Sequence, residues 1–137
     1  MTNFGYMFSG CSSIKSLNLS HFDTKSATTM RNMFDKCLQL TTLVLTNFNT
    51  SSVNSMSYMF NSCSSLKELD LSSFDLSKVG SMTNIFDNCN MLEYINLNNS
   101  VEKTGLTATN IFKSNPINMV ICINADNNKK INESISK

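Results

Sequence analysis

Residues 56–79 read MSYMFNSCSSLKELDLSSFDLSKV, and this stretch is one full unit of an internal repeat that runs along most of the chain. Its Met59-Phe60 pair recurs as Met33-Phe34 and Met7-Phe8 upstream and as Ile85-Phe86 and Ile111-Phe112 downstream, 26 residues apart at every step. A fixed period of this length marks a stacked array. A single unit holds too little apolar surface to fold alone and must bury it against its neighbours.

Other columns keep the same phase. Cys11, Cys37, Cys63 and Cys89 form one, Ile14, Leu40, Leu66 and Leu92 a second, and Leu17, Leu43, Leu69, Ile95 and Ile121 a third. Leu19, Leu45, Leu71, Leu97 and Ile123 continue the series, followed by Phe22, Phe48 and Phe74, then by Ala27, Val53 and Val79 with Met30, Met56 and Met82. Two periods alternate inside each unit. Ala27, Met30, Met33, Phe34 and Cys37 fall on one face of a short helix, with Ser26 and Ser52 placed ahead of the helix as N-caps. Leu43 and Leu45 then alternate with their neighbours, the pattern of a short strand that faces two leucines inward. Because every unit has the same order, the strands must run parallel, and the helix supplies the crossover.

The later units drift. Asn98-Asn99-Ser100 replaces the S-x-F-D turn, Asn115 takes the cysteine position, and Pro116 ends the expected helix. Residues 119–123 are apolar on both faces, so the outer side of this last strand is expected to be covered. Residues 1–123 therefore read as an array of about five units, the first truncated and the last divergent. Residues 124–137 are polar, with Ile131 and Ile135 one helical turn apart, and read as a C-terminal cap or a linker.

The L-x-x-L-x-L core, its M-F-x-x-C lead-in and its L-[ST]-x-F-[DN] tail are carried by Ile14–Thr24, Leu40–Thr50 and Leu66–Asp75. Over about residues 4–112 this pattern resembles the leucine-rich repeats of BspA-type bacterial and protist surface proteins. The expected fold is α/β: a right-handed leucine-rich-repeat solenoid with a parallel β-sheet on the concave side and short helices on the convex side. The resemblance implies a cell-surface or secreted protein that adheres to protein or glycan partners on a host, a matrix or a neighbouring cell. It carries over no catalytic residue. An intracellular or architectural scaffold built of the same repeat is the second reading, and a column of free thiols favours it, since thiols persist in reducing compartments.

Composition narrows the function classes. Charged residues make up 15% of the chain and the net charge is +1, which leaves no electrostatic footprint for nucleic acid. No apolar run is long enough to span a membrane and no signal-peptide pattern is present, so no membrane insertion is expected within this segment. The first unit starts at Phe4 without its opening strand, so the chain reads as an excised piece whose open edge favours end-to-end self-association. One histidine, His21 in a turn column, four scattered glycines and no paired short cysteine spacing leave no catalytic constellation, phosphate loop or zinc site, and no cofactor is expected.

The stacked cysteines read as free thiols acting as small buried hydrophobes, and Cys122, off the column, as the more reactive one. Asp23, Asn49 and Asp75 form a column of oxygen ligands that suits calcium or, more simply, Asx-turns. Asp35, Asn61 and Asp87 alternate carboxylate with amide, which limits repulsion along that column.

A binding site on the concave face falls on the residues that flank the inward leucines. Ser16, Thr42, Glu68, Tyr94 and Val120 form one such column and Asn18, Val44, Asp70, Asn96 and Cys122 the next. The candidate set is Thr42, Val44, Glu68, Asp70, Tyr94 and Asn96. A solvated sheet surface with no partner is the plain alternative.

Overall fold

The computed structural model describes residues 1–124 and 126–135. Five short strands follow one another, β1 (Ser16–Asn18), β2 (Thr42–Val44), β3 (Glu68–Asp70), β4 (Tyr94–Leu97) and β5 (Val120–Ile123), and one helix, α1 (Lys129–Ile135), ends the series. Every pairing is parallel between residues 26 apart: Leu17 lies against Leu43, Leu69 against Ile95 and Ile95 against Ile121. The columns of the sequence are thus the register of the sheets. The fold is α/β, small parallel sheets with one short helix, in the orders β1-β2 and β3-β4-β5.

The sheet is interrupted between β2 and β3. Asn18, Asp70 and Asn96 turn the chain as it leaves their strands, their Oδ1 atoms accepting the N–H of Ser20, Ser72 and Asn98. Val44 shares that column and has no acceptor to make the turn. It lies in the one strand that is not paired with its successor.

Stacked side chains fill the interior. Phe8, Phe34, Phe60, Phe86 and Phe112 form a continuous pile, with ring centroids 5.5 Å apart for the first pair and 5.6 Å for the other three, and planes within 8° of parallel. Phe48 and Phe74 stack beside it at 6.3 Å. Each such pair contributes about 0.5–1.5 kcal/mol beyond the area it buries. Met30, Met33, Met56 and Met59, the inward leucines Leu40, Leu66 and Leu92, and the cysteines Cys37, Cys63 and Cys89 are all fully buried around these rings.

The helices expected over Ala27–Cys37 and its equivalents are absent, and the reason is where the backbone N–H groups go. Met30, Asn32, Phe34 and Lys36 donate to the carbonyls of Ser55, Ser57, Met59 and Asn61 in the next unit at 2.8–3.0 Å, while Met33, Asp35 and Cys37 donate three residues back. No N–H is left for an i→i−4 ladder. Alternate donation requires the chain to swing through the left-handed region twice per unit, at Asn32 and Lys36 (φ 56° and 61°), and again at Tyr58 and Ser62, Asn84 and Asn88, and Asn110 and Ser114. An α-helix cannot contain such residues. The strain, about 1–2 kcal/mol for an ordinary side chain, is offset by four inter-unit hydrogen bonds worth about 0.5–1.5 kcal/mol each. Ser26 and Ser52 accordingly cap no helix.

Two more expectations meet the structure at the end of the chain. The outer side of β5 is not covered at Val120, which is 59% exposed. In α1, Ile131 is fully buried and joins the core, while Ile135 faces outward. Glu102 holds the start of α1, its carboxylate accepting the N–H of Lys130 at 2.8 Å and of Ile131 at 3.2 Å. The fully buried Asn128 donates to the carbonyls of Ser100 and Asn124. Of the expected C-terminal segment, Ala125, Ser136 and Lys137 lie outside the described residues.

Phe60→Ala, which removes a ring from the middle of the pile, should lower stability by about 3–5 kcal/mol in a denaturant melt; a loss below about 1 kcal/mol would place the ring outside the core. Glu102→Ala should cost about 1 kcal/mol, as loss of an N-cap does, and speed amide exchange at Lys130 and Ile131 while leaving Phe34 and Lys36 unchanged.

Candidate functional site

The strands divide the candidate set. Glu68, Asp70, Tyr94 and Asn96 share one sheet, where Glu68 pairs with Tyr94 and Asp70 with Asn96. Thr42 and Val44 lie in the other sheet, opposite Ser16 and Asn18. Thr42, Glu68, Tyr94 and Val120 are all exposed, because residues that alternate with the inward Leu43, Leu69, Ile95 and Ile121 must point outward. The three-stranded sheet continues the surface through Val120 and Cys122, which pair with Tyr94 and Asn96. Met91 and Ile117, three positions ahead of Tyr94 and Val120, are also exposed.

Tyr94 is the centre of this surface. Its phenol is pushed above the ordinary range, chiefly by partial burial and then by its closeness to Cys122, Asp70 and Glu68. Asp70 and Asn96 each commit one oxygen to the following turn. The Glu68 carboxylate has no hydrogen-bond partner among the described residues. The surface therefore offers a free carboxylate, a phenol, an amide and exposed apolar side chains. That inventory suits contact with a polypeptide or a sugar and contains no base placed against a nucleophile.

Elsewhere, polar columns join the units. The buried Thr24 hydroxyl donates to the Asn49 carbonyl at 3.1 Å and accepts the Asn49 N–H at 2.7 Å, and Thr50 does the same with Asp75. Asp23, Asn49 and Asp75 make Asx-turns, each Oδ1 accepting the N–H two residues on. Hydrogen bonds from Ser77, aided by Lys78, hold the Asp75 carboxyl below its ordinary range. Among the described residues no three His, Cys, Asp or Glu side chains gather as a metal site. The amide of Asn61 donates to Asp35 at 2.7 Å, as the alternation of that column requires. Asp87 occupies the same position two units after Asp35, with Lys113 where an asparagine would follow, and its Oδ1 is buried without a partner.

The cysteine column does more than fill space. Cys37, Cys63 and Cys89 are free and buried, and their thiols donate to the carbonyls of Phe8, Phe34 and Phe60 in the preceding unit at 3.1–3.2 Å. Phe34 and Phe60 also accept the N–H of Cys37 and Cys63, so each carbonyl uses both lone pairs. Cys11 departs from the column by being exposed, and Cys122 is half-buried. In the fifth unit the Asn115 amide stands in the cysteine position and finds no partner. Sequence reasoning missed these bonds and the threonine links. A hydroxyl or thiol recurring at a buried position is the signal that marks them.

A family model described as Mycoplasma protein of unknown function, DUF285, matches residues 2–120. No curated protein and no solved structure matches the chain. No helix among the described residues is long and apolar enough to cross a membrane.

Burial pushes the thiols up, Cys37 to about 11 and Cys89 to about 12 from an ordinary 9.0, with Cys63 raised in the same direction. Above pH 9.0 the unfolded chain loses thiol protons that the folded chain keeps, so this contribution to stability is complete below pH 9.0 and falls as pH rises towards 11 and 12. Urea midpoints measured from neutral pH upward should drop above that point, and less steeply in Cys89→Ala. Under native conditions a thiol reagent should modify Cys11 first and leave Cys37, Cys63 and Cys89 until the chain unfolds.

Proposed function

We propose, for a chain that belongs to the family described as Mycoplasma protein of unknown function, DUF285, that it is a non-enzymatic cell-surface adhesion and protein-interaction module. In this reading the stacked units form a right-handed leucine-rich-repeat solenoid of the BspA type. Its concave sheet meets protein or glycan partners, and the segment after it is a C-terminal cap or a linker. What carries the reading is the row of exposed, chemically varied side chains held in register on parallel strands: Glu68, Tyr94 and Val120, with Asp70 and Asn96 alongside. Repeat proteins commonly bind through an extended surface of this kind. An exposed tyrosine ordered by a sheet is a suitable anchor, since it offers large contact area with few torsions to fix.

The buried thiol column favours the other reading, an architectural scaffold in a reducing compartment. The two differ in location and in ligand. Surface labelling of intact cells should reach the protein if it is an adhesin, and confinement to the cytosol would exclude that role. In a solid-phase screen against matrix proteins and glycans, the chain should retain a ligand that the double variant Glu68→Lys, Asp70→Lys loses by tenfold or more. Equal binding by the variant would remove this sheet as the site.

A further inference from the structure

The acidic and apolar side chains of the β3-β4-β5 sheet lie side by side in an order that a sugar does not match, and we propose that the partner of this sheet is a polypeptide that sets Lys or Arg beside aliphatic or aromatic side chains. The proposal rests on the reading of this sheet as a binding surface and names the class of partner it takes.

Two columns carry the apolar part. Met91 and Ile117 hold one position of the repeat in successive units, Tyr94 and Val120 hold another three residues on, and all four are exposed. Tyr94 is paired with Val120 across β4 and β5. In the first three units the same two positions hold Ser13, Gln39 and Ser65, then Ser16, Thr42 and Glu68. The outward face therefore changes from polar to apolar in one step, between the third unit and the fourth. Exposed apolar side chains gathered in this way mark a contact surface, whereas single scattered ones do not.

Carboxylates border that step. Glu68 pairs with Tyr94 and Asp70 with Asn96, and the exposed Glu93 precedes Tyr94 in the chain. The one ion pair among the described residues, Lys130 with Glu133, lies on α1, so none of these three carboxylates is held in a salt bridge. Lys67 is their basic neighbour in the ladder, its carbonyl accepting the N–H of Glu93 at 2.7 Å and of Tyr94 at 3.1 Å, and it offsets one of the three charges. The sheet thus presents net negative charge next to an apolar patch, with Tyr94 at the boundary.

Partner chemistry follows from both halves. Like charges across a contact cost free energy and opposite charges orient it, so sulfated or carboxylated sugars and phosphate groups are disfavoured and a Lys or Arg is favoured. A neutral sugar lays its C–H face on aromatic rings, and this patch offers one ring against three aliphatic side chains. Met91, Val120 and Ile117 are matched instead by apolar side chains of another polypeptide, and the adaptable thioether of Met91 fits more than one shape. A cation flanked by apolar residues engages the carboxylates and the patch together.

Random dodecapeptides displayed on phage and selected on the immobilised 137-residue chain test this. Enriched sequences should place Lys or Arg next to Leu, Ile, Val or Phe. Synthesised, they should bind at least tenfold more weakly to Glu68→Lys, Asp70→Asn, which keeps the turn acceptor at position 70, and to Ile117→Ser, Val120→Ser. Should either double variant fail to melt cooperatively, the peptides decide the matter on the native chain, where changing their basic residues to Gln or their apolar residues to Ser should each cost the same factor. Enrichment without basic residues, or peptides bound equally after these changes, would overturn the proposal. Retention of the chain on heparin or dextran that the same double variants abolish would overturn the polypeptide class while leaving the sheet as a binding site. No enriched peptide and no retention on either glycan would overturn the proposal together with the reading beneath it.

Discussion

The alternating donation of backbone N–H groups from each unit to the next is the constraint on which the rest of the structure depends. In the segment from Met30 to Cys37, every second N–H leaves its own unit, and those of Met33, Asp35 and Cys37 turn back three residues. Identical residues are thereby brought directly above one another. The five rings overlap nearly parallel because the backbone beneath them is clamped at a constant rise, and the cysteines follow close behind, near enough for each thiol to reach the carbonyl of the previous unit. A helical crossover would have satisfied its own backbone and left the units joined by side-chain packing and the short strands alone.

The same constraint explains how a chain with few charges and no disulfide carries buried polar groups. Thr24, Thr50, Asp35 and the three inner cysteines each find a partner in an adjacent unit, so their satisfaction depends on the neighbour having the matching residue. Where the sequence drifts, the partner is lost. Asp87 meets a unit with Lys113 in the asparagine position, and Asn115 replaces a thiol. These two side chains hold all the unpartnered buried polar atoms among the described residues. An orphaned polar group costs about 1–3 kcal/mol, so these losses weaken the junction of the fourth and fifth units. Burial of Ile131 and the grip of Glu102 on α1 fall at this end and offset part of that loss.

The register, the parallel strands, the stacked phenylalanines and the turn role of Asp23, Asn49 and Asp75 were legible because each follows from residue spacing alone. The conformation of the crossover was not. Spacings of three, three, one and three place side chains on one face of a helix, and they do the same for a chain that turns back every second residue. The distinguishing signs were the asparagines at 32, 84, 88 and 110 and Gly10, residue types that tolerate positive φ, standing in two columns four apart. The division of the candidate surface was also hidden. Thr42 and Val44 separate from Glu68 and Tyr94 through a gap in backbone hydrogen bonding between β2 and β3, to which side-chain periodicity is blind. The exposure of Val120 was concealed similarly, since an apolar residue on an outer face reads as covered until its surroundings are known.

Interior and exterior columns of the sheet obey different rules. The inward column holds Leu17, Leu43, Leu69, Ile95 and Ile121, close to one residue type throughout, because the stack accepts one shape. The outward column holds Ser16, Thr42, Glu68, Tyr94 and Val120, five residue types differing in size, charge and polarity, at positions equivalent in backbone geometry. Folding therefore does not dictate them. Nor is the variation spread evenly, since Ser16 and Thr42 are small and polar while the large side chains gather on β4 and β5. A surface shaped only by the need to stay in water has no reason to concentrate a tyrosine that is 37% exposed, a valine that is 59% exposed, and the outward Met91 and Ile117 at one end of its sheet. Apolar side chains held outward on ordered strands gain free energy when something covers them, and they stand beside the carboxylates of Glu68 and Asp70, which supply the direction that apolar contact lacks.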